Sequence, residues 1–430
     1  MSTLPYRPRL AAHGLLRHHR VAGRSLFALH DTRSHEMLEL EEDQLVALLG
    51  CDGTRDLGGV LLATAREGAY RRASSIEALL HELARRGLLE DGIAPHFVST
   101  STARPLEPLP GYRLRCEGHG ACCKSFGSIA FTESEAGEAL RAVPEAAAVK
   151  RVFLPLRGST SDGACAVALR DAHCTFLAAD GHCEIHRRAG GEHKPLGCRL
   201  YPRSFVDDGE AVRVSVRLEC PCVFTSLDHS DGEPLCGGEL PPGTHVPALE
   251  SNGAAIRRWS QQVLALLPER GDGFAILWSL AQSVDAQEGV SLDRQPQWSE
   301  LTPLFAALAQ RTTTRAQSAA GWRAPDDRVR QLAEWLDRAA RALAGGARFD
   351  EPHSERDEAF YVRAIIHGHQ AALMDQPLAT ALRDLAVRVL LARSAAVHAS
   401  DDDPMARHPL SAVETMMRAQ GLGGWLAQET

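Results

Sequence analysis

Nine of the eleven cysteines fall in the 107 residues from Cys116 to Cys222. An even scatter would place about three there. They arrive in groups: Cys116, Cys122 and Cys123 in CEGHGACC, then Cys165, then Cys174 and Cys183 in CTFLAADGHCEIH, Cys198 in KPLGCRLYP, and Cys220 and Cys222 in CPC. Thiolates are soft, charged ligands that suit zinc, copper(I) and iron–sulfur clusters. In a reducing compartment such crowding reads as metal ligation rather than a disulfide framework. No CxxC knuckle is present, the spacing that bends two thiolates onto one zinc ion. Neighbouring side chains diverge in general, so Cys122 and Cys123 point to two metal positions, or to one ligand beside one packed thiol. A tetrahedral ion takes four ligands, and nine thiols exceed that. The surplus favours an iron–sulfur centre over a single zinc. Cys51 and Cys236 are assigned to buried free thiols, a common fate of cysteine; Cys165 is left open between the two. His119, His173, His182, His186 and His193 are available to supplement the thiols.

The elements that must position these residues separate into regions. Residues 10–92 hold two strand patterns, VAGRSLFALHD and EMLELEE, joined by a turn at 32–35, and then three helical patterns. Leu45, Leu48 and Leu49 share one face; Leu57, Val60 and Leu61 repeat it. In the third helix Ile76, Leu79, Leu80 and Leu83 form the stripe, Ser74 and Glu77 suggest a capping box, and Gly87 stands at the C-cap. A hairpin with short helices predicts a small winged-helix module. Residues 93–111, rich in Ser, Thr and Pro, read as a linker. The cysteine region spans 112–240. Its clearest strand is AVRVSVRLE, with Val212, Val214, Val216 and Leu218 on one face and Arg213, Ser215 and Arg217 on the other. From 245 to 430 there is no cysteine, and several amphipathic helices predict a bundle. The strongest has Val329, Leu332, Trp335, Leu336, Ala339 and Leu343 on one side, begins near Asp326 and Asp327, and ends at Gly345. His367 and His369 fall in one predicted helix, where residues two apart do not share a face. The expected fold class is α+β, mainly helical.

Composition narrows the function classes. The chain has 430 residues, 44% hydrophobic and 24% charged, enough for a core that needs no metal to fold. A net charge of −8 gives no reason to expect nucleic acid or an anionic membrane as partner. No apolar run approaches the ~18 residues of a membrane span, and no secretory signal is visible, so a cytoplasmic protein is expected. There is no GxGxxG after a strand, no P-loop, and no CxxxCxxC triplet of radical S-adenosylmethionine enzymes.

The cysteine region resembles a family described as zinc- or iron-chelating, whose opening motif is CxxCxxCC and which includes the flagellin lysine N-methylases. The later signature matches at Cys174-Thr175-Phe176-Leu177, Cys183-Glu184-Ile185-His186 and Lys194-Pro195-Leu196-Gly197-Cys198-Arg199-Leu200-Tyr201-Pro202. In the opening motif His119 stands where the family has its second cysteine. The resemblance implies metal ligands among Cys116, His119, Cys122, Cys123, Cys174, Cys183, Cys198, Cys220 and Cys222. Arg199 is placed either to neutralise thiolates or to form a surface ion pair. The resemblance implies protein lysine methylation as a candidate activity, with S-adenosylmethionine as donor, although no donor site is visible. Residues 10–92 resemble PqqD-type peptide-binding modules at Cys51-Asp52-Gly53-Thr54-Arg55-Asp56-Leu57 and at 79–88. That implies a protein or peptide partner, captured by strand addition at a sheet edge. The alternative to an enzyme is a structural or sensing metal protein with a peptide-recognition module. Metal-dependent control of DNA is a third reading, with Arg85 and Arg86 as its thin basic support.

Overall fold

The computed structural model describes residues 4–419 apart from 34–35, 68–72, 93–103, 119, 121, 124–128, 156–163, 172, 243, 245, 250–252, 295–297, 319–327, 350, 375 and 397–407. The protein is mainly helical α+β with several small sheets. Two compact units form. One joins Met1–Val98, Cys122–Arg199 and Ala319–Asp326; the other joins Ser99–Ala121, Leu200–Ser318 and Asp327–Thr430. The 112–240 region expected as one metal-binding body is thus shared between them.

In the first unit, β1 (Pro8–Leu10), β2 (Gly14–Val21), β3 (Arg24–Asp31) and β4 (Met37–Leu40) precede α1 (Glu42–Gly50), α2 (Leu57–Arg66), α3 (Ala73–Arg85) and β5 (Leu89–Asp91). The sequence pattern predicts one strand over Val21–Asp31. Ala22 and Gly23 instead take positive φ, 49° and 78°, as a two-residue hairpin turn requires, and β2 precedes them. Ile76, Leu80 and Leu83 are buried as the stripe predicts. Gly87 at φ 70° closes α3, with Leu88 N–H bonded to the Leu83 carbonyl at 2.8 Å. Ser74 does not cap: α3 has already begun at Ala73. Capping boxes occur at Glu41–Gln44 and at Thr132–Glu135, the latter opening the Glu133–Ala142 helix.

The N-terminal sheet does not stop at residue 92. The Leu169–Arg170 strand pairs parallel with β2, placing Leu169 opposite His19 and Arg170 opposite Arg20. The His173–Cys174 strand adds outside it, giving a five-stranded sheet that ends on β4. His18 clamps the junction. Its Nδ1–H donates to the Arg151 carbonyl at 2.9 Å, and its Nε2 accepts from Ser25 at 3.0 Å. Burial lowers its pKa and keeps the ring neutral for both roles.

In the second unit the Val212–Val216 strand lies between Arg203–Asp207, antiparallel, and Leu106–Pro108, parallel. Part of the expected linker is therefore a sheet strand. All five residues of Val212–Val216 are buried, where alternation predicted one wet face. Helices cover the second side. Ser215 donates to the Ala364 carbonyl at 2.7 Å, and Arg213 meets Asp208 at 2.8 Å and Glu107 at 3.0 Å. The Gly253–Leu266 helix starts so close to this layer that a Cβ on Gly253 would lie 2.6 Å from the Asp208 carbonyl oxygen. In the Arg328–Ala344 helix Leu332, Leu336, Ala339 and Leu343 are buried as expected and Trp335 is half-buried. The positive φ after it belongs to Gly346 at 85°, not Gly345; Asp326, Asp327 and the side chain of Val329 lie outside the described residues. The Glu355–His367 helix ends one residue before Gly368. His369 adopts φ 50°, so the two histidines do not belong to one helix. Both are buried. His367 Nε2–H donates to the Glu107 carbonyl at 3.0 Å, and His369 meets Ser260 at 3.1 Å and Asp208 at 3.4 Å. Among the described residues no helix is long and apolar enough to cross a membrane.

Burial holds His367 at a pKa of about 4, against 6.5 for an exposed ring. Between those values the unfolded chain carries the extra proton, so unfolding free energy rises with pH across that window. Urea unfolding followed by tryptophan fluorescence should show this unit losing up to about 3 kcal/mol between pH 7 and 4 on account of this group. His367→Gln, which keeps a donor for Glu107 but gains no proton, should flatten the slope. An unchanged slope would refute the assignment.

Candidate metal centre

Each unit gathers its own thiols. In the first, Cys122 and Cys123 sit on a helical turn with Sγ atoms 4.0 Å apart. The Cys123 thiol meets that of Cys122 and lies close enough to Cys174 and Cys183 for them to act on its ionisation. The Cys198 thiol faces Cys122 and Cys183. Local structure delivers each one. Cys174 ends the outermost strand of the shared sheet, opposite Leu169. Cys183 pairs as a β-bridge with Leu177 and then caps the Glu184–Ala189 helix. Cys198 lies in the short Leu196–Leu200 helix, whose first N–H is held by Glu135 at 2.7 Å. The apolar positions of the signature form the wall behind them: Phe176, Leu177 and Ile185 are buried with Phe131 and Val143.

The adjacent pair corrects one expectation. Side chains of Cys122 and Cys123 converge rather than diverge. With metal–sulfur bonds of about 2.3 Å, two thiolates on one tetrahedral ion lie about 3.8 Å apart. The 4.0 Å separation is close to that edge, so both can serve one centre.

The second unit holds Cys116, Cys220, Cys222 and Cys236, the last only half-buried rather than buried as expected. Cys116 and Cys220 act on the ionisation of Cys222, whose Sγ accepts the Glu117 backbone N–H at 3.5 Å. Cys116 is exposed; Cys220 and Cys222 are buried. Sequence reasoning missed the groups that fix this loop. Tyr112 donates its hydroxyl to the Val223 carbonyl at 3.0 Å. Ser226 accepts from Arg115 N–H at 2.9 Å and donates to the Cys222 carbonyl at 2.5 Å. No composition or spacing signal marks such residues, because their role comes from contacts across about a hundred positions.

Electrostatics explain the protonation state of both sets. The Cys122 hydrogen bond favours the Cys123 thiolate, but the bond to Cys174, burial and nearby thiols outweigh it and raise the pKa. For Cys222 the Cys116 hydrogen bond is likewise outweighed by Cys220 and burial, giving about 12. Burial, then Cys122, puts Cys198 near 12. Like charges in a dry site cannot ionise together; a cation among them reverses that balance. The Cys122 and Cys123 sulfurs accordingly share a hydrogen bond. Among the described residues, no three His, Cys, Asp or Glu side chains are placed to hold one ion as they stand.

The other candidates disperse. His119 lies outside the described residues. His182 and His193 are exposed and face Asp180 and Glu138 at 3.6 Å. Arg199 pairs with Glu135 at 3.8 Å, the ion-pair alternative. Cys51 is buried in the N-terminal core, bonded to the Ala47 carbonyl. Cys165 is buried on a central strand, where burial lifts its pKa to about 11. Comparison of the chain with family models, curated proteins and solved structures finds no match.

Exposure sets an order of reactivity. Brief iodoacetamide treatment of the native protein without added metal, read by peptide mass spectrometry, should label Cys116 well before Cys51, Cys123, Cys174, Cys220 and Cys222. Uniform labelling would contradict the packing described.

Proposed function

We propose that this chain is a metal-binding protein whose clustered thiols hold an iron–sulfur or zinc centre. The supporting observation is the gathering of Cys122, Cys123, Cys174, Cys183 and Cys198, from separate segments, around one apolar wall. Soft donors at this density fit a thiophilic metal, and five thiols exceed one zinc ion. That excess favours an iron–sulfur cluster. The first unit's thiols would be the ligands; when bound, the centre supplies local order and either redox or Lewis-acid chemistry. Proteins purified without oxygen should carry iron with acid-labile sulfide and a brown colour, or zinc without colour. Cys123→Ser with Cys174→Ser should remove most of it, while Cys51→Ser should remove none. Wild-type protein without stoichiometric metal, after reconstitution with iron and sulfide and with zinc, would defeat the proposal.

A protein or peptide partner suits the N-terminal module. β4 is the outer strand of its sheet among the described residues, so its edge can take an added strand. DNA control draws less support: Arg85 and Arg86 both bond to Glu82, leaving little free positive charge there. A protein-modifying enzyme, with lysine methylation as the candidate reaction and S-adenosylmethionine as donor, is the second reading. What favours it is an open groove of about 520 Å³ lined by Thr175, Leu177 and Ala178 from the loop between Cys174 and Cys183, with Arg170 and Val143. Incubation with candidate partner proteins and labelled S-adenosylmethionine tests it; no transfer and no donor binding would discard it.

A further inference from the structure

One row of the first unit's sheet carries positive charge without a counter-charge. The register sets His173 beside Arg170, Arg170 beside Arg20, and Arg20 beside Ser25, across four adjacent strands. Residues paired in register share a face and successive residues alternate, so Cys174, Leu169 and His19 belong to the opposite face. Neighbouring strands lie about 4.8 Å apart, which sets the stems of Arg20 and Arg170 side by side. Like charges directly opposite one another destabilise a sheet. Other arginines of this unit are offset by acids: Arg151 meets Glu67 at 3.2 Å, Arg187 meets Asp180 at 3.1 Å, and Arg188 meets Glu145 at 2.5 Å. Among the described residues no carboxylate lies within ion-pair distance of Arg20 or Arg170; Arg170 gives one Nη2–H to the Leu177 carbonyl at 3.4 Å. The row lacks partners at its end as well, where His173 Nδ1 is buried without a hydrogen bond among the described residues. Arg170 is exposed and Arg20 half-buried, so both can be reached from solvent. Arg170 also lines the open groove of about 520 Å³, whose apolar lining includes Val143, Val149, Leu177 and Ala178. The groove's other arginine, Arg187, is taken up by Asp180 and Glu184.

We propose that Arg20 and Arg170 bind the phosphate of a small phosphate monoester whose apolar body lies in this groove. Charge and shape select that class. Two guanidiniums are matched by a group that carries about −1.5 to −2 at neutral pH and offers three acceptor oxygens. Each guanidinium can hold such a group through two parallel N–H bonds. A carboxylate brings one charge and two oxygens, which leaves part of the repulsion standing. The groove volume falls within the range of about 300–1,000 Å³ usual for small-molecule sites. One pair of cations in a concavity suits one phosphate rather than a run of them, and a net charge of −8 opposes a polyanion. No thiol takes part, so the site is independent of the metal centre proposed above.

Phenyl phosphate is the probe. Calorimetric titration of the full-length protein, with a chelator present so that phosphate held by a metal is not counted, should show one molecule bound per chain and weaker binding as salt is raised. Inorganic phosphate, which lacks the apolar body, and benzoate, which lacks the second charge, should each bind more weakly. Arg20→Gln and Arg170→Gln should each weaken phenyl phosphate by about tenfold or more, while Arg188→Gln, which removes an ion-paired charge outside the groove lining, should not. Without ligand, Arg170→Gln should melt no lower than the wild type, because it relieves the like-charge pair; circular dichroism verifies its fold. Absence of phenyl phosphate binding at millimolar concentration overturns the proposal. So does equal binding of benzoate or inorganic phosphate, or binding undiminished in folded Arg20→Gln/Arg170→Gln. A short single-stranded oligonucleotide that outcompetes phenyl phosphate would make a polyanion the ligand and overturn it too. The ligand series on the wild-type protein keeps the test decisive where a variant does not fold.

Discussion

The parallel pairing of Leu169 and Arg170 with His19 and Arg20 is the contact on which the first unit depends. It joins residues 150 positions apart, and it turns two sequence regions into one sheet. Chain closure over such a span is entropically costly before any contact is gained, although the cost grows only slowly with length. The return is shared: burial of the strand's neighbours, the His18 clamp on Arg151, and the ion pair of Arg151 with Glu67 at 3.2 Å. Once Leu169 is fixed, the antiparallel partner Cys174 is fixed with it, and Phe176, Leu177 and Cys183 follow within one short loop. The thiols are thus positioned by a sheet that begins in the N-terminal module. A peptide taken on the β4 edge would join the same sheet that presents Cys174 at its opposite side.

Thiol crowding is the second constraint. Without a cation each thiol raises the cost of ionising the next, and burial adds to it, as at Cys198 and Cys222. The apolar wall around Cys123 and Cys174 is buried with the thiols protonated, so its packing does not call for a metal. The large core of the second unit, including Phe274, Leu277, Leu336 and Ile365, stands on its own burial.

Much of this was legible in the residues. Helix stripes at 76–83 and 332–343, the Gly87 cap and the density of thiols all depend on local pattern, and local pattern survives folding. What was hidden depended on distant partners. β2 was missed because Ala22 adopts a positive φ that alanine rarely takes, and the turn lacks its usual Asn-Gly signature. Leu106–Pro108 looked like linker because its only strand credential is a parallel neighbour a hundred residues on. Val212–Val216 alternates in sequence yet is buried on both faces, since Asp208 and Glu107 neutralise Arg213 there. The division of CEGHGACC between two units had no local sign at all.

The helices of the second unit also acquire a reason. The last of them, Pro409–Ala419, sends Ser411 to the Leu218 carbonyl at 2.8 Å and Thr415 to the Glu219 carbonyl at 3.2 Å. Those are the two peptide groups leading into Cys220. The same helix is held from behind by Glu414, which meets Arg388 at 3.0 Å and the Tyr361 hydroxyl at 2.5 Å. Arg388 in turn grips Asp384, and Arg393, one turn further along that helix, joins Glu358 to Asp272. Buried ion pairs of this kind contribute little net stability, because desolvation cancels most of the attraction, but removing one partner strands the other at a cost of about 3–5 kcal/mol. Their effect is therefore on register: they penalise any sliding of the helices that would separate the partners. A helix held in register along its length holds Leu218 and Glu219 in place, and with them the Cys220-Pro221-Cys222 turn. The cysteine-free C-terminal half thus acts on the thiols through backbone carbonyls.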